Sequence, residues 1–520
     1  MTHGICTNLP SACSNAASQT HLPYDGPGSR CPQCGSALLK AAEEGGGSSQ
    51  GPKIGLIAVA AAVVIALGGG AWWAFSGKSD TSSASSSVAS KGNETTVLRL
   101  HGSSTLGSAL APAMVEAFLA KEGFTQIQTR PSKIVDEVAV TAKGPDGMVR
   151  VEVYGHGSGT GFTDLRDGKA DIGMSSRPVK KGELEFTKAL GNLASDGAEY
   201  VVALDGIAVI VNGGNPVKQL TTAQLRDIYT GKITDWAQVG GKTGVIKIYT
   251  RDEKSGTGDA FKHQVLAGAD MVKTAQPIED NGGLSDLVAR DPLAIGYSAM
   301  HDTHQAKVLA ITDGIAQPMR PTKLTVGSEE YPLSRRLYMY VPPKSTNPLA
   351  VRFAEYVVSP EGQKIAEKTG FVSQSAEAME FKAVSKNADY QQLTDGAHRL
   401  SVNLRFNPGS LDLDVKAQRD LGRIAAMLEA KGNKKSEVML LGFTDGASNS
   451  GCANQKLSQD RANAAAAELA TYGVKAKVVF GFGATVPVAS DETEAGRERN
   501  RRVEVWTTDR PVSTPVTTCK

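Results

Sequence analysis

Serine, threonine and glycine cluster three times in the middle of the chain, each time between a β-like run and a helix start. The segments are LRLHGSSTLGSALAP with Ser103, Ser104 and Thr105, VYGHGSGTGFTDLRDG with Gly157, Ser158, Gly159 and Thr160, and IYTRDEKSGTGDAFKHQ with Arg251, Ser255, Gly256 and Thr257. A helix start carries unpaired N–H groups and partial positive charge, and glycine lets a ligand approach them. Hydroxyls add short hydrogen bonds, and an arginine four residues before the third Ser-Gly-Thr adds a forked charged donor. One such loop is ordinary N-capping. Three in one region, one of them with an arginine, point to an oxyanion. Different chemistry stands near the start, where Cys31-Pro-Gln-Cys34-Gly offers two thiolates on a tight turn, the form of a zinc knuckle. Cys6 and Cys13 complete four sulfurs for a structural zinc, and His3 or His21 can replace one of them. A redox pair is the other reading of C-x-x-C, but the module is too short for the βαβ context it needs.

These residues need several separate elements to hold them. At 520 residues the chain exceeds one core, and a net charge of +2 provides no field for nucleic acid. Residues 54–75, IGLIAVAAAVVIALGGGAWWAF, carry no charge and lie between Lys53 and Lys78. As a helix they would span ~33 Å, enough to cross a bilayer, with Trp72 and Trp73 at the interface. The expected order is a zinc-ribbon-like module 1–39, a flexible linker 40–53, a transmembrane helix 54–75 and a Ser-rich linker 76–95. An α/β domain 96–375, a polar linker 376–397, a smaller α/β domain 398–509 and a tail 510–520 follow. In the large domain VRVEVY, GIAVIVN and IKIYT alternate with helical patterns; in the small one EVMLLGF, AKVVFGF and RRVEVWT read as strands. Cysteine usage splits across the span. Reduced thiolates place the N-terminus in the cytoplasm and everything after the span on the oxidising side, where Cys452 and Cys519 are candidate disulfide partners.

GSSTL, GSGTG, ADIGMSSRPV, DIYTGKITDW and TRDEKSGTG, in that order, resemble the phosphate-binding proteins of bacterial phosphate ABC importers. The resemblance implies two α/β lobes joined by hinge strands and closing on dehydrated phosphate. It implies ligand groups at Thr105, the N–H of Leu106, Ser158, Arg251, Ser255, Gly256 and Thr257, with Glu253 steadying the arginine. Ser176 stands where the family often has an aspartate. A carboxylate only accepts hydrogen bonds and so favours a protonated oxyanion, whereas a hydroxyl can donate or accept, which predicts weaker exclusion of sulfate.

The last region, LLGFTDGASNSGCANQKLSQDRANAAAAELATYG followed by GFGATVPVASDETEAGRERNRRVEVW, resembles the OmpA-like peptidoglycan-binding domain. That resemblance implies a clamp for the diaminopimelate end of the stem peptide, built from Asp445, Asn454, Leu457, Arg461, Asn500 and Arg501. Asp445 would take the ammonium and Arg461 the carboxylate through a forked pair. The expected whole is an inner-membrane, single-pass, non-enzymatic binding protein that captures phosphate or a related oxyanion and grips peptidoglycan. It would serve uptake with an ABC permease, or envelope sensing; the alternative is a structural tether with a vestigial oxyanion domain.

Overall fold

The computed structural model describes residues 94–134, 136–252, 255–383, 385–407, 410–430, 436–446 and 450–516, with Pro32 and three short strands nearer the start. The chain divides into two compact units, Met1–Ser87 and Val88–Lys520. In the first, His3–Cys6 pairs antiparallel with Leu22–Pro23 on one side and Leu38–Lys40 on the other. Cys13, Cys31, Cys34 and residues 54–75 lie outside the described residues. Among the described residues no helix is long and apolar enough to cross a membrane, and no His/Cys/Asp/Glu group could hold a metal.

The second unit begins with β1 (Thr95–Gly102), a helix that continues as α1 (Ala111–Lys121), β2 (Thr125–Pro131), β3 (Glu137–Gly144), β4 (Gly147–Tyr154), α2 (Ser158–Arg166) and β5 (Ile172–Ser175). Then come β6 (Glu199–Val211), β7 (Lys247–Arg251), α3 (Gly256–Phe261), β8 (Gln276–Ile278), α4 (Asn281–Arg290), β9 (Ala294–Ala299) and β10 (Ser334–Tyr340). These strands form one mixed sheet in the order β8-β7-β9-β6-β10-β5-β1-β4-β3-β2. Two cores flank it. Leu100, Met114, Phe118, Val153 and Met339 pack in the first lobe; Val209, Tyr229, Trp236, Phe261 and Tyr297 pack in the second. The strands β6 and β10 belong to both lobes. The Glu199 end of β6 pairs with β10, while Ile207 to Val211 pair with β9. Burial on both faces explains why β6 reads as the near-continuous apolar run VVALDGIAVIV. Because β5, β1 and β4 are parallel neighbours, the loops after them emerge along one sheet edge, where open α/β sheets bind ligands.

The C-terminal domain has a five-stranded sheet in the order β11-β12-β15-β13-β14: β11 (Ala378–Glu380), β12 (His398–Leu404), β13 (Glu437–Phe443), β14 (Ala476–Gly481) and β15 (Arg502–Thr508). Helices α5 (Val415–Glu429) and α6 (Gly451–Thr471) cover one face. Strand alternation divides β13 between two cores: Val438 and Leu440 lie under the helices, Met439 and Leu441 on the other face with Trp506. Residues 376–397, expected as a linker, are part of this domain. They supply β11 and the helix Ala388–Thr394, whose Tyr390 and Leu393 fill the Trp506 core. Their polar composition hid three well-placed apolar residues, Phe381, Tyr390 and Leu393.

The two domains share a buried charged seam. Glu329 and Glu330, in the turn before β10, meet arginines of the C-terminal sheet. Glu330 pairs with Arg399, lies 3.2 Å from the Arg502 Nε and accepts from the Asn403 amide at 2.9 Å. Burial pushes the Glu330 carboxyl up, but Arg399 and then Arg502 outweigh it and hold its pKa at about 2. Arg405 reaches Glu329 at 3.1 Å, and Arg336 of β10 binds Glu329 and, at 2.8 Å, Asp414. On the first-lobe side the Arg419 guanidinium sits 4.4 Å over the Tyr200 ring of β6.

Candidate functional site

A cleft of about 330 Å³ opens between the lobes, and Thr105, Arg251, Ser255, Gly256 and Thr257 all line it. Thr105 comes from the first lobe and the Ser-Gly-Thr loop from the second. The two loops touch closely enough that a Cβ at Gly256 would overlap the Thr105 hydroxyl, so only glycine fits there. Ser255 caps α3, its Oγ accepting from the Gly258 N–H at 3.1 Å, which leaves its own O–H to donate. The Thr105 and Ser103 hydroxyl oxygens are buried with no hydrogen-bond partner. Such groups carry a desolvation cost that a bound ligand would offset.

Arg251 is held from three directions. Nε donates to the Ile278 carbonyl at 3.2 Å, Nη2 to the Glu279 carbonyl at 2.7 Å, and Nη1 to the Asn281 side chain. Of its five N–H groups, two remain for a ligand. Burial lowers its pKa and Asp252 opposes that, but a guanidinium stays charged throughout.

The other expected anion ligands stand differently. Leu106 buries its side chain in the first-lobe core and opens the first helical turn. Ser158 and Ser176 are not on the cleft wall; the Ser176 N–H donates to the Ser158 hydroxyl at 3.0 Å. Glu253 lies outside the described residues. Asp136, Asp205, Asp252, Glu279, His301 and Asp302 also line the cleft and were not foreseen; Asp205 of β6 forms a buried ion pair at 2.6 Å with Arg335 of β10, just behind the wall. The available signal for Asp205 was a lone charge inside an apolar strand.

Of the C-terminal clamp residues, Asp445 follows β13, Asn454, Leu457 and Arg461 lie on α6, and Asn500 and Arg501 precede β15. Asp445 binds Arg501 at 2.7 Å, and Arg501 also reaches Glu494 at 2.7 Å. Arg461 is 4% exposed, yet its Nε and Nη1 have no hydrogen-bond partner, and its guanidinium sits 5.6 Å over the Phe406 ring. Burial lowers its pKa, Arg501 adds to that, and Asp445 opposes both. Asn500 is structural: its Oδ1 accepts from the Val488 and Ala489 N–H groups at 2.8 and 3.1 Å. Asn454 is buried on α6, and Leu457 is 40% exposed. Cys452 is disulfide-bonded, and Cys519 lies outside the described residues.

Comparison with known proteins agrees with this division. Residues 89–361 match the PBP superfamily domain and residues 405–501 the OmpA family. The chain is 33% identical over 226 residues to the phosphate-binding protein PstS of Staphylococcus epidermidis, covering 42% of this chain and 68% of that protein. With PstS of Bacillus subtilis the identity is 31% over 232 residues, 44% of this chain and 72% of the relative. Among solved structures, an ABC-type phosphate transport receptor from Vibrio cholerae aligns with a TM-score of 0.42 at 25% identity, covering 53% of this chain and 99% of the receptor. The chain therefore belongs to the PBP superfamily and carries an OmpA family domain behind its binding domain.

Proposed function

We infer that the protein is an envelope-anchored receptor that captures phosphate in the interlobe cleft and holds on to peptidoglycan through its C-terminal domain. The observation that carries the first half is the buried, unpartnered Thr105 hydroxyl facing the Arg251 and Ser255–Thr257 loop across the cleft. Relatives named as phosphate-binding proteins support the choice of anion. Arg461, buried without an acceptor, supports the second half: a carboxylate of the stem peptide's diaminopimelate would pair with it while Asp445 takes the ammonium. Thr105 and the Arg251 and Ser255–Thr257 loop offer hydrogen-bond donors to an anion across the cleft, which suits binding rather than catalysis.

The anchor in this reading is the apolar run 54–75, with a cytoplasmic zinc module before it and the two large domains in the periplasm. A Cys452–Cys519 disulfide fits that compartment. Attachment at membrane and wall favours sensing or local capture, handing phosphate to a nearby ABC permease, over free diffusion. A pure tether with a vestigial cleft is the rival. Equilibrium dialysis of the purified protein with radiolabelled phosphate separates the two: the receptor binds about one phosphate per chain, and the tether binds none. Zinc content of reduced protein and accessibility of an N-terminal tag in intact cells test the anchor's orientation.

A further inference from the structure

We propose that the C-terminal domain is a brace across the hinge between the two lobes, which holds the cleft open and so lowers its affinity for the anion; this deepens, and rests on, the phosphate reading above. The strands β6 and β10 run through both lobes, and the bridge between Leu204 and Val372 is a third crossing. Rotation about such crossings is how a two-lobed cleft narrows. Ser158, expected among the ligand groups, stands off the cleft wall, as it would with the lobes apart.

Neighbouring residues of a strand point to opposite faces of the sheet. Arg335 of β10 donates to the Gly256 carbonyl at 2.6 Å, on the face that meets the anion loop. Arg336 projects from the other face, where it meets Glu329 and, at 2.8 Å, Asp414, the residue that caps α5. The C-terminal domain is thus seated behind β10, away from the anion loop.

From that seat it holds each lobe separately. On the second lobe Arg399 and Arg405 grip Glu330 and Glu329, and Arg499 pairs with Asp313. On the first lobe the Arg419 guanidinium of α5 lies over the Tyr200 ring, 3.5 Å from Asp196 and 4.0 Å from Glu355. One helical turn on, Arg423 donates to the Gln374 side chain at 3.1 Å, and the Gln374 N–H donates to Gln363 at 2.7 Å. Lys323 joins all three bodies: from the second lobe it reaches Glu367 of the first at 2.8 Å and Glu377 of the C-terminal domain at 2.6 Å.

Closing the cleft on one face of the hinge draws the lobes apart on the other. Leu421 and Ile424 of α5 share a core with Leu440 and Val505 of the C-terminal sheet, so helix and sheet move as one packed body and cannot follow both lobes. Closure must therefore loosen one hold. Glu330 and its arginines are buried, whereas the Arg419 side chain is 22% exposed and Asp196 and Glu355 lie on the surface, so the first-lobe hold gives way. Losing it costs free energy that opposes closure, and the apparent affinity falls with the fraction of molecules able to close.

The test is calorimetric titration of the full-length protein in detergent with phosphate, repeated for Arg419→Ala, together with amide hydrogen exchange of the unaltered protein with and without phosphate. Arg419→Ala, freed of its first-lobe hold, should bind phosphate about two- to thirtyfold more tightly than the parent. In the unaltered protein, saturating phosphate should speed exchange in α5. If Arg419→Ala does not fold, as judged by its thermal transition, the exchange measurement decides. Parental or weaker phosphate affinity in a folded Arg419→Ala overturns the brace, as does exchange in α5 that stays level or slows when phosphate binds. No phosphate binding by the unaltered protein overturns the receptor reading itself, a separate failure.

Discussion

Two sets of buried arginines in the C-terminal domain look alike in sequence and behave oppositely in the fold. Arg399 and Arg502 sit in the seam with the binding domain, where Glu330 and Glu504 neutralise them and Asn403 and Tyr390 complete the network. Arg461 is as deeply placed but forms no ion pair among the described residues, only a stack on Phe406. A buried charge with its counter-charge built in belongs to the architecture. One without a counter-charge carries a desolvation cost that a bound carboxylate would offset. The same distinction holds in the cleft, where Arg335 is matched by Asp205 while Arg251 keeps part of its fork free.

The largest effect should come from breaking the matched set. Glu330→Ala leaves the buried Arg399 and Arg502 to share Glu504 and should cost about 3–5 kcal/mol, read as a lower urea midpoint for unfolding. Acid should do the same reversibly. The folded pKa of Glu330 is depressed to about 2, below the ordinary carboxylate value, so its contribution is complete above about pH 5 and is lost as pH falls towards 2. A melting temperature that stays level between pH 5 and 2.5 would show that the seam carries little of the stability.

The unmatched arginine should give the reverse profile. Arg461→Ala should leave stability unchanged or slightly raised, because it removes an uncompensated buried charge, while sedimentation with purified sacculi weakens about ten- to a hundredfold. Asp445→Ala should weaken sacculus binding similarly. The double variant should be little worse than either alone, since both act on one zwitterion. Additive losses would mean that the two charges serve different ligands.

How much of this was legible in the sequence depends on the range of the interaction. The first and third Ser/Thr/Gly loops are legible because the pattern is local, a strand end, a glycine and a helix start within a few residues. The fold brings Thr105 and Ser255–Thr257 to one cleft while leaving Ser158 off its wall. Asp205 could not be read in this way, because its partner Arg335 lies 130 residues away and only the pairing of β6 with β10 brings them together. The run Arg499, Arg501, Arg502 reads as one basic edge, yet the fold sends Arg499 to Asp313, Arg501 to Asp445 and Arg502 into the seam. Composition marked 376–397 as a linker because its few large apolar residues, scattered among polar ones, show no period. Of the clamp residues, Leu457 should matter least: with 40% of its surface exposed, Leu457→Ala should change stability by less than about 0.5 kcal/mol.

On the proposed reading the cleft and the clamp are two separate sites, one served by Arg251 and the other by Arg461. Phosphate titration of the intact protein beside its Arg251→Ala and Arg461→Ala variants tests this most directly. Arg461→Ala should bind phosphate like the parent, and Arg251→Ala should bind it about a hundredfold more weakly or worse, because the anion loses its nearest free full charge. Parental affinity in a folded Arg251→Ala variant would contradict the account.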